Sequence, residues 1–210
     1  LLSRGLGDVY KRQVYEGQLA FAFAGGVLPA TMTYAMLVSY FRGLTGPYDV
    51  DLPTIGNIVG LVSRIGTTYA AETSQAFEAF LVGMCPLHHR NNKDHAYRLR
   101  FDTTGTPRNP ELLDLMPDGS FALLGSNQAA IGRMIADGFA ADLEYNPALA
   151  IKSVIEEEIA GDIGGYLHLG RIRGGVDIYP AWRGDSGSLP SPYADGKLCL
   201  LYKSPSPRDK

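Results

Sequence analysis

Cysteine is nearly absent: the 210 residues hold two, Cys85 and Cys199. So small a number excludes a disulfide framework, and with it the stapled domain of many secreted proteins. Basic residues are few and form no run. Lys and Arg number 19 against 22 Asp and Glu, a poor composition for gripping a phosphate backbone. Low-complexity tracts and internal repeats are missing too, which excludes a solenoid. Long uncharged stretches are scarce, with one exception. Gln18 to Phe41, QLAFAFAGGVLPATMTYAMLVSYF, is about long enough to span a bilayer. Yet it splits at Gly25-Gly26, and Leu19, Phe21 and Phe23 alternate with small alanines as in a strand. Its second half carries Pro29, Thr31, Thr33 and Ser39, polar content ill suited to lipid. The expectation is a buried strand followed by a buried helix. No membrane partner is then expected; the scarce cysteine makes a reducing, cytoplasmic setting the expectation, and the acidic balance argues against nucleic acid.

The two ends of the chain are related in an unusual way. Ser3 to Gln13 reads SRGLGDVYKRQ, and Cys199 to Arg208 reads CLLYKSPSPR. One permitted back-translation of the first, reverse-complemented and read in a shifted frame, gives CLLYTSPSPR. Ends of a natural gene have no reason to be reverse complements, and the pair resembles a translated sequencing-library adapter. Residues 1–13 and 198–210 are therefore set apart from fold reasoning. Residues 14–197 are expected to be one domain, a fragment of a longer protein. Without the ends, 13 basic and 20 acidic residues remain, a net charge of −7. About 180 residues suffice for a substantial core.

Along that domain, Leu28 to Phe41 reads as a helix with Pro29 in its first turn. Gly43 to Pro53 is turn chemistry. Ile55, Ile58, Val59, Val62 and Ile65 then recur at helical spacing. Ala76 to Cys85 and His95 to Thr103 read as a hairpin joined by PLHHRNNKD. A proline-containing connection over Thr104 to Asp118 leads to FALLG (Phe121 to Gly125), a short expected strand. A helix from about Asn127 to Ala136 follows, with Ile131 and Ile135 one turn apart. Asn146-Pro147 starts another, with the stripe Ala148, Ile151, Ile155 and Ile159. Two strands around Gly174-Gly175 close the order. Paired helices segregated from hairpins predict an α+β fold, with helices covering antiparallel sheets.

Three groups of residues carry candidate chemistry. Cys85, His88, His89 and His95 form C-x2-H-H-x5-H, and thiolate and imidazole are zinc ligands. The spacing matches no common zinc module, and adjacent histidines on a strand point opposite ways. A solvated hairpin loop is the expectation. GDSGS (Gly184 to Ser188) is similar to the nucleophile turn of trypsin-like serine proteases over five residues only. Four amphipathic helices do not fit that all-β barrel, so it reads as a polar turn. The third group is LLGSNQAAIGRM (Leu123 to Met134) with SVIEEEIAGDIGGYLHLG (Ser153 to Gly170). Ser126 stands where it caps a helix through its hydroxyl, worth about 1 kcal/mol. Asp162 stands at a helix–strand corner, a common place for a turn former.

The order strand, Gly-Ser, helix, helix, Ala-Gly-Asp-Ile, strand resembles proteasome-type N-terminal nucleophile hydrolases, and HslV-like members above all. Ile159 to Ile163 reads IAGDI, followed after two residues by Tyr166. FAFAGG before a helix is similar to the family's strand-Ala-Gly-helix passage, and FEAFLVGMC with YRL resembles its central hairpin in pattern. The resemblance covers most of Gln18 to Gly175. It implies an αββα sandwich that assembles into homo-oligomeric rings and cleaves peptides or unfolded proteins, with an ATPase regulator in some members. In the family the first residue of the mature chain attacks the peptide carbonyl, and its own α-amine serves as base. Ser126 and Asp162 match the serine and aspartate that orient this centre. Gly161, Gly164 and Leu167 match positions whose carbonyls bind a monovalent cation, and no other cofactor is implied. The nucleophile strand and the following lysine would precede Val14. Gly165 stands where many proteasome β-subunits carry serine. A non-catalytic assembly subunit of the same fold is the alternative, and a zinc protein built on Cys85 and the histidines is the other.

Overall fold

The computed structural model describes residues 11–14, 19–43, 53–86, 94–113, 121–125, 127–142, 150, 153–154, 167–172, 176–182 and 197–201. The organising element is a strand in which every second residue is large. β1 (Lys11–Val14) is paired antiparallel to β2 (Leu19–Gly25). In β2, Leu19, Phe21 and Phe23 face one way and Ala20, Ala22 and Ala24 the other, and all six are buried. A strand sealed on both sides belongs to an interior layer. β2 ends at Gly25, whose φ of +100° suits glycine. A Cβ there would lie 3.0 Å from the Ala76 carbonyl oxygen, so the turn is pressed against the start of the next strand. The Gly26 N–H donates to that same oxygen at 2.9 Å.

Two helices follow before the chain returns beside β2. α1 (Val27–Gly43) includes Pro29 in its first turn. Buried Thr33 satisfies its hydroxyl by donating to the Pro29 carbonyl at 2.7 Å. The expectation of a buried helix holds for one face only. Ala30, Leu37 and Phe41 are buried, whereas Leu28, Met36 and Tyr40 are exposed at 54%, 45% and 50%. α2 (Ile55–Thr73) starts with a capping box: the Thr54 hydroxyl accepts from the Asn57 N–H at 3.1 Å, and Asn57 Oδ1 accepts from the Thr54 N–H at 3.0 Å. It stops at left-handed Ser74. Its inner stripe is Ile55, Ile58, Val59, Val62 and Ala70, with Ile65 packed at the margin.

β3 (Phe77–Met84) and β4 (Asp94–Phe101) form the expected hairpin, paired from Phe77–Phe101 to Met84–Asp94. With β5 (Glu111–Leu112) they complete a five-stranded antiparallel sheet in the order β1-β2-β3-β4-β5. The register puts Phe21, Leu81 and Tyr97 in one row and Phe23, Ala79 and Leu99 in the next. These residues, with Phe77 and Phe101, pack under α1 and α2 in the main core. The opposite face carries Ala20, Ala22, Phe80, Val82 and Ala96, covered in part by Leu113, Ala122 and Leu124.

FALLG is not a strand, contrary to expectation. Phe121 to Leu124 makes no ladder and lies across that alanine-lined face, with Ala122 and Leu124 packed on it. Small side chains let a third segment approach the sheet closely, and covering the face buries more than pairing at an edge would. α3 (Gln128–Ala141) comes next and buries Ile131 and Ile135 as expected. Ala150, Ser153 and Val154 are helical, with Ala150 and Val154 buried. The stripe expected there, Ala148, Ile151, Ile155 and Ile159, lies outside the described residues. β6 (Leu167–Ile172), β7 (Val176–Trp182) and β8 (Lys197–Leu201) form a second antiparallel sheet in the order β7-β6-β8. β1 and β8 are edge strands that include Lys11 to Gln13 and Leu198 to Leu201, stretches set apart above. An edge ladder draws on backbone groups, which any sequence without proline supplies. The fold is α+β.

Two consequences can be measured directly. The Phe77 and Phe101 rings stack at 4.3 Å, and a Cβ on Gly66 of α2 would come within 2.5 Å of the Phe101 ring. Gly66→Ala gains about 1 kcal/mol of helix propensity but overpacks a fixed ring by about 1–3 kcal/mol. A net loss of about 1 kcal/mol in urea unfolding is expected, and a gain would show that the ring yields. After β4, Asp102 accepts from the Thr104 hydroxyl, from the Thr104 N–H at 3.0 Å and from Arg108 at 2.8 Å. These bonds, the Thr104 hydroxyl foremost, hold its carboxyl down at about 2 from 3.8. A depressed folded pKa contributes stability above the unfolded value that is lost as pH falls through the folded one. Asp102→Asn should therefore be less stable than wild type at pH 7, with the difference closing between pH 4 and 2. A difference independent of pH would show that the ionised carboxylate contributes nothing.

Candidate functional site

The junction expected to carry Ser126 is built from Gly125 and Asn127, both with positive φ, +94° and +58°. These two positive-φ positions, on either side of residue 126, lie where the chain passes from the alanine-lined face into α3. The cap of that helix is Asn127 rather than Ser126, and it makes no side-chain cap bond. The cap position therefore falls one residue after the one expected. Ser126 itself lies outside the described residues.

The next side chain closes the turn. Gln128 Nε2 donates back to the Gly125 carbonyl at 2.9 Å and to Glu78 Oε2 at 3.2 Å. Its Oε1 accepts from Arg98 Nη2 at 2.9 Å, and the same nitrogen donates to Glu78 Oε2 at 2.9 Å. Glu78 stands opposite Arg100 in the ladder and diagonal to Arg98, both within reach across strands. Arg100 Nε lies 3.4 Å from Glu78 Oε1, and Arg100 Nη2 lies 3.3 Å from Glu111 Oε2. Arg98 is 14% exposed and Glu78 28%. Arg98 Nε is buried with no hydrogen-bond partner. A polar network therefore occupies one end of the sheet face whose other end is apolar, and it ties the sheet to the Gly-Ser-Asn turn.

Neither Glu78, Arg98 nor Gln128 was a candidate from sequence. Charged residues at alternating strand positions read as a wet face. Only the register and the arrival of α3, 50 residues after Glu78, bring the three together.

Asp162, Gly161 and Gly164 lie outside the described residues. Leu167 opens β6, where the ladder with β7 shifts register between Leu167 and Leu169. His88 and His89 also lie outside them, as does GDSGS. Cys85 is buried in the main core, where its Sγ accepts from the Ile55 N–H at 3.4 Å. The His95 ring stacks near Tyr97, with centroids 6.5 Å apart. Among the described residues no group of three His, Cys, Asp or Glu is placed to hold a metal ion. A thiol packed against α2 is poorly placed to join a loop site. Metal analysis of the purified chain should find no stoichiometric zinc, with no change on His88→Ala/His89→Ala. One equivalent lost in the double variant would restore the zinc alternative.

Among the described residues no helix is long and apolar enough to cross a membrane. Compared with family models and with curated proteins, the chain matches none.

Proposed function

We propose that this chain is the body of a proteasome-type N-terminal nucleophile hydrolase, a peptidase subunit of αββα architecture. The observation that carries the proposal is an antiparallel sheet apolar on both faces, with a helix pair on one and an alanine-lined surface on the other. Such a sheet is an inner layer, as a sandwich of two sheets between helices requires. The order of a Gly-Ser pair before α3 is what supports matching Ser126 to the family's orienting serine. In this assignment the nucleophile is the first residue of a mature chain and lies upstream of Val14. Its α-amine, with an ordinary pKa near 8, accepts the proton as the hydroxyl or thiol attacks the peptide carbonyl. Ser126 and Asp162 orient that amine.

Carbonyls of Gly161, Gly164 and Leu167 are the candidate ligands for a monovalent cation, which would brace the Asp162 corner. The register shift at Leu167 supports that role, because an irregular ladder turns carbonyls away from their regular partners. Exposed Leu28, Met36 and Tyr40 on α1 favour assembly into a homo-oligomeric ring, since apolar groups in one helix are commonly covered by a neighbour. Peptides or unfolded protein are the proposed substrates, with an ATPase regulator as the proposed feeder.

The test is the full-length gene product. Its upstream codons should supply Thr, Ser or Cys at a processed start and a Lys about thirty residues later. The purified protein should cleave a fluorogenic peptide, and replacing that first residue by Ala should abolish cleavage. An assembled product lacking such a residue would be the non-catalytic subunit instead.

A further inference from the structure

We propose that the outer face of α1 is a docking surface for a second copy of this chain, two α1 helices packing on each other about a two-fold axis near Met36. The pairing does not depend on the peptidase assignment: a chain that cleaves nothing would pair in the same way.

A surface helix ordinarily carries charged or polar side chains on its wet side. α2 does so, with exposed Asn57, Arg64, Thr68 and Glu72. α1, packed beside it over the same sheet, does not. From Val27 to Phe41 it holds no charged residue, although Leu28, Ala35, Met36, Ser39 and Tyr40 are exposed. Water alone is a costly neighbour for such a face.

Spacing gives the face a shape that fits itself. Leu28, Met32, Met36 and Tyr40 follow at four-residue steps and form a ridge. Thr31, Ala35 and Ser39 form the adjacent row, and their small side chains leave a groove of the same pitch. The Ser39 hydroxyl already donates to the Ala35 carbonyl at 2.9 Å, so its proton needs no acceptor from outside. Turned about a two-fold axis, each copy lays its ridge in the groove of the other, at the common crossing angle of about −50°.

Charge selects the occupant. Near a two-fold axis each residue meets its own copy, so a charged face would repel itself and an uncharged one does not. The chain carries a net charge of −3, and this neutral face is where two copies approach at least cost. A charged partner would find no counter-charge between Val27 and Phe41. A membrane surface fits less well, since an interfacial helix carries Lys or Arg beside its apolar side. A face of this kind presents roughly 300–600 Å², less than the about 800 Å² per partner of a standard interface. The pair is therefore expected to be weak, with a midpoint on the order of 10 µM. A two-fold contact closes at a pair, so a ring would need a second, unlike surface as well.

Sedimentation velocity of the 210-residue chain between about 1 and about 200 µM brackets that midpoint. The weight-average mass should rise from 22.7 kDa toward twice that value. Met36→Glu and Met36→Lys each set like charges face to face at the axis, and each should raise the midpoint about tenfold or more. Mixed in equal amounts, the two variants should associate again near the wild-type midpoint, because a glutamate then faces a lysine. Only a second α1 predicts that recovery. Met36 is half-exposed, so both variants should keep the wild-type urea midpoint, which separates lost pairing from lost fold. A wild-type chain that stays at 22.7 kDa throughout would overturn the proposal. Should that monomer sediment with phosphatidylcholine vesicles, the face belongs to a membrane instead. A dimer indifferent to both variants would put the contact elsewhere on the molecule. A mixture that fails to recover would mean that α1 meets an unlike surface, and either result overturns the α1–α1 pair.

Discussion

Phe21→Ala is expected to lower the unfolding free energy by about 3–5 kcal/mol, the largest stability change of any single truncation proposed here. Phe21 lies mid-strand on β2, in the row formed with Leu81 and Tyr97, and is 1% exposed. Its ring lies 6.1 Å from Phe23 and stacks on Tyr34 of α1 at 6.5 Å, so it touches both the sheet and the helix layer. Transfer of the side chain alone accounts for about 1.5–3 kcal/mol. The remainder is the cavity. Leu19, Leu37 and Leu81 are themselves fully buried, and none can move into the gap without vacating its own place. Since domains are stable by about 5–15 kcal/mol, the variant loses a large fraction of the whole. Leu28→Ala is the control: its side chain is as apolar but more than half exposed, and a change within about 0.5 kcal/mol is expected. Urea midpoints at constant m-value measure both. A loss below about 1 kcal/mol for Phe21→Ala would mean that α1 does not seal this face.

Much of this core was readable before any coordinates. The alternation of large and small residues in LAFAFAG marked a buried strand, and both faces of β2 are buried. The spacing Ile55, Ile58, Val59, Val62 gave the inner face of α2, because a helix that covers a sheet must present one apolar stripe. The β3–β4 hairpin followed from two apolar-alternating runs around a polar loop. FALLG failed because composition reports burial, not the partner that provides it: the same residues serve as an edge strand or as a cover, and the alanine face decided. The cap moved from Ser126 to Asn127 because Gly125 and Asn127 both take left-handed geometry, a backbone choice invisible in residue type. Of the candidate site, sequence indicated the turn but not its restraint. Glu78 and Arg98 look like ordinary solvated charges until the register sets them beside a glutamine from a distant helix.

Under the proposed peptidase assignment, Asp162→Asn in the full-length product is expected to lower peptide hydrolysis on the order of 10²–10⁴-fold, with Ser126→Ala toward the lower end of that range. The asymmetry follows from what each side chain supplies. A hydroxyl orients through one neutral hydrogen bond, whereas a carboxylate both orients and favours the positive charge that the α-amine acquires as it takes the proton. The charge also leaves a signature that simple unfolding would not. A carboxylate beside an amine raises the amine pKa, and removing it lets that pKa fall. The base must be unprotonated to work, so the rising limb of the pH–rate profile should move to lower pH in Asp162→Asn and stay in place in Ser126→Ala. Residual activity measured along both profiles therefore separates the two roles. Wild-type rates in both variants would leave the assignment without a site. A limb that moves equally in both would mean that Asp162 acts through Ser126 and not on the amine directly.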